Sequence, residues 1–160
     1  MASNLWVAVG SGGTGNSIVT SSDGNTWTST GSTVIAPNAV AYKNNLWVAV
    51  GGGGNTIAIS TDGVLWTGRG TTMFNGGYGY SVAFGNNLWV AVGAGTGNTF
   101  ASSTDGITWT TRTSSLSSGY GVAYGKDGSG NGLWVAVGSH PTLPNTIATS
   151  TNGITWTNRS

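Results

Sequence analysis

Chemistry in this chain would have to come from very few side chains. Among 160 residues there is no Glu and no Cys, and the acids are Asp23, Asp62, Asp105 and Asp127. The bases are Lys43, Lys126, Arg69, Arg112 and Arg159, with a single His at 140. General acid–base work needs two such groups gathered at one place. Three of the four acids instead recur in a repeated string, one per copy. The fourth, in Lys126-Asp127-Gly128-Ser129-Gly130-Asn131, reads as a solvated hairpin tip with too few carboxylates for calcium. His140 lies in Ser139-His140-Pro141-Thr142-Leu143-Pro144 with no acid or thiol beside it, so it is read as a loop residue and neither a triad nor a metal site is expected. The glycine run 51–54 is followed by no Gly-Lys-Ser/Thr and no helical pattern, so it is read as a tight connection between strands and not as a phosphate loop. No catalytic, cofactor-binding or metal-binding residue is expected, and no enzymatic activity.

The same scarcity limits partners. Charged residues make up 6% of the chain and the net charge is +1, which leaves no basic field for nucleic acid. An aromatic-rich, charge-poor composition is also the opposite of a disordered chain. No run approaches 18 apolar residues, so membrane insertion is not expected, and Met1-Ala2-Ser3 leads into repeat sequence with no signal peptide pattern. A cysteine-free chain leaves the compartment open.

What must position these residues is a repeat. Leu-Trp-Val-Ala-Val-Gly begins at Leu5, Leu46, Leu88 and Leu133. A second string follows each copy, at Ser21-Ser22-Asp23-Gly24, Ser60-Thr61-Asp62-Gly63, Ser103-Thr104-Asp105-Gly106 and Ser150-Thr151-Asn152-Gly153, each closing on a Trp. The first-string tryptophans stand at 6, 47, 89 and 134, a spacing of 41 to 45 residues. All eight Trp belong to the two strings: Trp6, Trp27, Trp47, Trp66, Trp89, Trp109, Trp134 and Trp156. Between them the apolar residues are short and alternating, a strand pattern with no helical period. Four short strands per ~40 residues is the blade of a β-propeller. The expected fold is therefore all-β, with repeats at approximately 1–38, 39–80, 81–120 and 121–160 in a single propeller domain or half-ring. Inner strands are expected at 39–42, 81–84 and 121–124, and the last copy also gives strands at 133–137, 146–149 and 155–157. The chain opens on a second strand, 5–9, so the count is 15 strands with the first blade short of its inner one. The Asp-Gly or Asn-Gly pair is read as a short hairpin signal, because both residues tolerate positive φ.

The second string resembles the Asp-box, or bacterial neuraminidase repeat, Ser-x-Asp-x-Gly-x-Thr-Trp. It is one residue shorter here, and Asn152 replaces the Asp in the fourth copy. The resemblance implies a propeller whose box forms the hairpin between the third and fourth strands of each blade. The residues themselves assign Asp23, Asp62, Asp105 and Asn152 to a structural turn, since Asn keeps the acceptor oxygen and loses the charge. The eight Trp are assigned to packing between blades. Sialidases of this type use an arginine triad, a Tyr–Glu nucleophile pair and an acidic residue. With no Glu, and with Arg69, Arg112 and Arg159 all three residues after a box Trp, glycosidase activity is not expected.

Function is then sought in the variable loops 71–80 and 113–120, which carry Phe74, Tyr78, Tyr80, Leu116 and Tyr120. A ligand face of Arg69, Arg112, Arg159, Tyr78, Tyr80 and Tyr120 would suit glycans. The favoured expectation is a non-catalytic, self-assembling scaffold whose partner is itself. Two chains would join into one eight-bladed ring or a larger assembly, because the strand phase is unclosed and the edges lack charge. The alternatives are a monomeric four-bladed propeller with an incomplete first blade, a lectin-like glycan-binding module, and an engineered or excised stretch of a longer array.

Overall fold

The computed structural model describes residues 5–10, 17–114, 116–140, 142 and 146–159. The alternating strings become strands because each puts its apolar residues on one or the other face of a pleated ribbon. The first sheet holds β1 (Trp6–Val9), β2 (Ile18–Ser21) and β3 (Thr28–Ser29). The second holds β4 (Ala36–Lys43), β5 (Leu46–Gly52), β6 (Ile57–Ser60) and β7 (Thr67–Gly68). The third holds β8 (Tyr78–Gly85), β9 (Leu88–Ala94), β10 (Phe100–Ser103) and β11 (Thr110–Arg112), preceded by a short 3-10 turn, Thr72–Phe74. The fourth holds β12 (Ser118–Lys126), β13 (Gly132–Ser139), β14 (Ile147–Ser150) and β15 (Thr157–Arg159). Each sheet is an antiparallel meander in chain order, three-stranded in the first repeat and four-stranded in the others, a propeller-like all-β architecture. No helix among the described residues is long and apolar enough to cross a membrane.

The register repeats with the sequence. Trp6, Trp47, Trp89 and Trp134 lie opposite Ser21, Ser60, Ser103 and Ser150 on the next strand. On the inner side, Trp47, Trp89 and Trp134 pair with Tyr42, Phe84 and Tyr124 at ring-centroid distances of 4.5, 5.0 and 4.9 Å. Such pairs add roughly 0.5–1.5 kcal/mol beyond the area they bury. Among the described residues Trp6 has no such partner, because the first sheet shows no inner strand there.

Three expectations from sequence are corrected. The innermost strands begin at Ala36, Tyr78 and Ser118, three residues ahead of the expected repeat boundaries, and run about twice as long as expected. Each contains a β-bulge, between Pro37 and Ala39, between Gly79 and Ser81, and between Gly119 and Gly121. The bulge breaks the period-two pattern, so Tyr78, Tyr80 and Tyr120 read as loop residues although they lie in strands. Second, the last strand is β15 (Thr157–Arg159) and not 155–157, because the loop before it runs through Trp156. Third, the Asp-Gly pairs are not two-residue turns. Only their glycines have positive φ (Gly24 76°, Gly63 75°, Gly106 74°, Gly153 71°), within a six-residue loop. The two-residue hairpins are Asn44-Asn45 and Asn86-Asn87, with φ between 47° and 59° at all four residues, joining each inner strand to the next. In the fourth repeat the longer Asp127–Asn131 turn takes that place, closed by Asp127 N–H on Asn131 O at 2.8 Å.

The sheets stack in chain order. β1 packs on β4, β4 and β5 on β8, and β8 and β9 on β12. Among the described residues the fourth sheet has no comparable packing against the first.

Candidate functional site

The Asp hairpins are the most regular feature of the molecule. In the third repeat, Asp105 Oδ1 accepts from the Ile107 and Thr108 amides and the Ser103 hydroxyl, all at 2.8 Å. Ser103 Oγ in turn accepts from Gly106 N at 2.8 Å. Asp23 and Asp62 repeat this with Asn25, Thr26 and Ser21, and with Val64, Leu65 and Ser60. Asn152 Oδ1 makes the same three bonds at 2.9 to 3.0 Å with no charge. The backbone amides favour the ionised acid, foremost those of Thr26 and Thr108, and hold the Asp23 and Asp105 carboxyls down to about 2. Asp62 is lowered foremost by the Leu65 amide, and Asp127 by the Asn131 amide. A general acid at neutral pH needs a shift in the other direction. Among the described residues no three His, Cys, Asp or Glu side chains gather as a metal-binding group. His140 Nδ1 accepts from Thr142 N at 3.2 Å, while Pro141, Leu143 and Pro144 of its expected insertion lie outside the described residues.

The expected ligand face separates into two parts. Arg69 follows β7, while Arg112 and Arg159 lie in the outermost strands β11 and β15. Arg112 Nε donates to Ser102 Oγ and Arg159 Nε to Thr149 Oγ1, both at 2.7 Å. At the matching place in the second repeat stands Ile59, so Arg69 finds no hydroxyl there. A cleft of about 530 Å³ runs between the rims of the third and fourth sheets, lined by Arg112, Thr113, Ile154 and Trp156 among others. The tyrosines lie on the innermost strands, with two strands between them and the outer rim that carries the arginines. Tyr78 and Tyr80 stack at 6.4 Å between centroids, and Tyr80 meets Tyr120 of the next sheet at 5.7 Å. Tyr80 and Tyr120 are the bulge residues of their strands, and Asn38 is the third, its Nδ2 donating to Gly79 O across the sheets at 2.9 Å. The row begins over Gly52, where any Cβ would fall within the Tyr78 ring. Phe74 and Leu116, which lie in the loops where function was sought but outside the expected ligand face, are buried. They fill the space between successive sheets, as Ile35 does earlier in the chain.

The tryptophans divide by position in the stack. Each sheet has one face of Trp and Ala and an opposite face of Val and Ile. Between the second and third sheets, Val48, Val50 and Ile57 meet Trp89, Ala91, Ala101 and Trp109. Between the third and fourth, Val90, Val92 and Phe100 meet Trp134, Ala136 and Ala148. Between the first and second, Val7, Val9 and Ile18 meet Ala58 and Trp66. Trp6 and Trp27 depart from the expected role, being 60% and 41% exposed, because among the described residues no sheet packs on the face that carries them. At the other end Val135, Val137 and Ile147 are 37%, 44% and 43% exposed, although Val90, Val92 and Phe100 at the same repeat positions are fully buried. The fourth repeat departs in one more way. Trp27, Trp66 and Trp109 donate their indole N–H to Gly24, Gly63 and Gly106 O, whereas Trp156 packs edge-on to Phe100 at 4.7 Å with its N–H unpartnered among the described residues.

The end faces are the residues that sequence reading missed. The signal was present: in a stack of identical sheets, the first Trp face and the last Val face have no neighbour inside the chain unless the ring closes. Compared with known proteins, the chain matches no family model, and a search of curated proteins finds no relative.

Proposed function

We propose that this chain is a non-catalytic, self-assembling β-propeller scaffold with hairpins of the Asp-box type, two copies of which join into one eight-bladed ring. One observation carries the reading: the stack leaves a different apolar face uncovered at each end, Trp6 and Trp27 at one and Val135, Val137 and Ile147 at the other. Contiguous apolar patches of this kind mark interaction surfaces. Additional support comes from the carboxylates, each of which is bonded within its own turn. The measurement is mass in solution by light scattering over a dilution series. Association from the 16.1 kDa chain toward a fixed multiple is expected, and a constant 16.1 kDa at the highest concentration overturns the proposal.

A second reading, a glycan-binding module, is favoured by the tyrosine row alone. Tyr78 and Tyr120 are exposed, and an uncharged row of stacked rings suits the apolar face of a sugar. Binding on a glycan array that is lost in Tyr120→Ala supports it, and no signal at multivalent display removes it.

A further inference from the structure

Resting on the self-assembling reading, we infer that a second copy docks head to tail in one defined register: Gly24 and Trp6 of one chain seat on Leu133 and Val135 of the other. The register comes from the chain itself, where the same contact occurs three times. A Cβ built on Gly63 would lie 2.6 Å from Leu5 Cδ2, 3.0 Å from Val7 Cγ2 and 3.4 Å from Trp47 Nε1. On Gly106 it would lie 2.6 Å from Leu46 Cδ2, 3.4 Å from Val48 Cγ2 and 3.1 Å from Trp89 Nε1. On Gly153 the same three distances, to Leu88, Val90 and Trp134, are 2.7, 3.1 and 3.1 Å. Each box glycine thus brings bare backbone down on the Leu and Val of the preceding sheet, with the first-string Trp beside it. Gly24 has the same left-handed φ and nothing within 4 Å of the corresponding position. It is the unoccupied half of the contact, and Leu133 with Val135 is the other half.

The two faces are also matched in chemistry. Trp6, Ala8 and Trp27 on one side and Leu133, Val135 and Val137 on the other carry no charge, so apposition leaves no buried ion unpaired. The contact is heterologous, one patch against a different patch. Such contacts close into rings or run on as filaments according to the rotation per step.

The junction between chains lacks two parts that the internal ones have. Among the described residues, none stands at this junction where Ile35, Phe74 and Leu116 fill the internal interfaces. Among the described residues the first sheet also has no inner strand to place a glycine against Val137, as Gly79 lies against Val50 and Gly119 against Val92. Association between chains is therefore weaker than packing within one, and it depends on concentration.

The experiment uses the full chain with Trp6→Asp to block the head and Val135→Asp to block the tail, each followed by light scattering and circular dichroism. Each variant alone is expected to remain at 16.1 kDa under conditions where the parent associates. An equimolar mixture still holds one intact head and one intact tail, so it forms a 1:1 pair of about 32 kDa, twice the 16.1 kDa chain, and nothing larger. If the parent associates while either variant still assembles fully, or if the folded variants fail to pair when mixed, the register is wrong and the scaffold reading stands. If the parent never associates, both fall. Trp27→Asp and Val137→Asp, at positions that are likewise exposed, replace either variant that does not fold.

Discussion

Trp89 and Trp6 hold the same place in the repeat, opposite a Ser in the same register, inside the same six-residue string. One is buried against the Val48 face of the sheet before it and the other stands in solvent. Identical local sequence has produced the same strand and the same register with the next strand at both sites. What differs is what surrounds them: Trp89 has a sheet before it and Phe84 on an inner strand beside it, and the described residues give Trp6 neither. In a stack of repeats the energy therefore resides in the interfaces between sheets as much as in the sheets, which is the nearest-neighbour behaviour of quasi-one-dimensional folds.

The largest expected effect follows from that contrast. Trp89→Ala opens a cavity in the central interface and is expected to cost about 3–5 kcal/mol, the range for deleting a buried aromatic. Trp6→Ala removes an exposed ring and is expected to fall within about 0.5 kcal/mol of neutral, as surface changes do. Urea unfolding at concentrations too low for association reads both. Equal costs would mean that the first sheet is covered in the isolated chain, and the division into interior and end faces would fail.

The sequence already carried most of the architecture. Spacing and alternation gave fifteen strands and one sheet short of its inner strand, and among the described residues both are observed. What stayed hidden has physical causes. Tyr80 and Tyr120 sit at bulges, where an extra residue shifts the period-two pattern and makes a strand resemble a loop. Phe74, next to Met73, and Leu116 lie in variable linkers with no repeating pattern, and nothing periodic marks such residues as buried. The exposure of Trp6 is a property of the stack and not of its string, so identical strings cannot distinguish it from Trp89. The arginines share one repeat offset, but whether each finds a partner depends on the strand beside it, where Ser102 and Thr149 accept and Ile59 does not.

The box glycines sharpen the comparison at a smaller scale. Gly106→Ala and Gly24→Ala both place an L side chain at a φ near 75°, which costs roughly 1–2 kcal/mol. Only Gly106 adds a contact, 2.6 Å to Leu46 Cδ2, and forcing that side chain and the Trp89 ring aside costs about a further 1–3 kcal/mol. Gly24→Ala meets open space within the chain. Denaturant midpoints are expected to drop further for Gly106→Ala, while association is expected to weaken for Gly24→Ala alone of the two. A Gly24→Ala chain that assembles like its parent would count against the docking register.

The smallest expected effect separates the third hairpin from the fourth, which differ by one charge. Asp105 is held down to about 2 in the folded chain, foremost by the Thr108 amide, against about 3.9 when unfolded. On acidification the unfolded chain takes up the proton first, so the stabilisation is complete above pH ~4 and is lost as pH falls through about 2. Asp23 acts in the same window and Asp62 in the same direction. Asn152 makes the corresponding bonds with nothing to titrate. In an acid titration followed by NMR, the Thr108 amide is expected to shift as its acceptor is protonated, and the Thr155 amide to stay in place. Asp105→Asn should abolish the Thr108 shift and flatten the acid limb of the stability curve. If instead Thr155 moved together with Thr108, acid would be loosening the stack as a whole, and the Thr108 shift would not report the charge of Asp105.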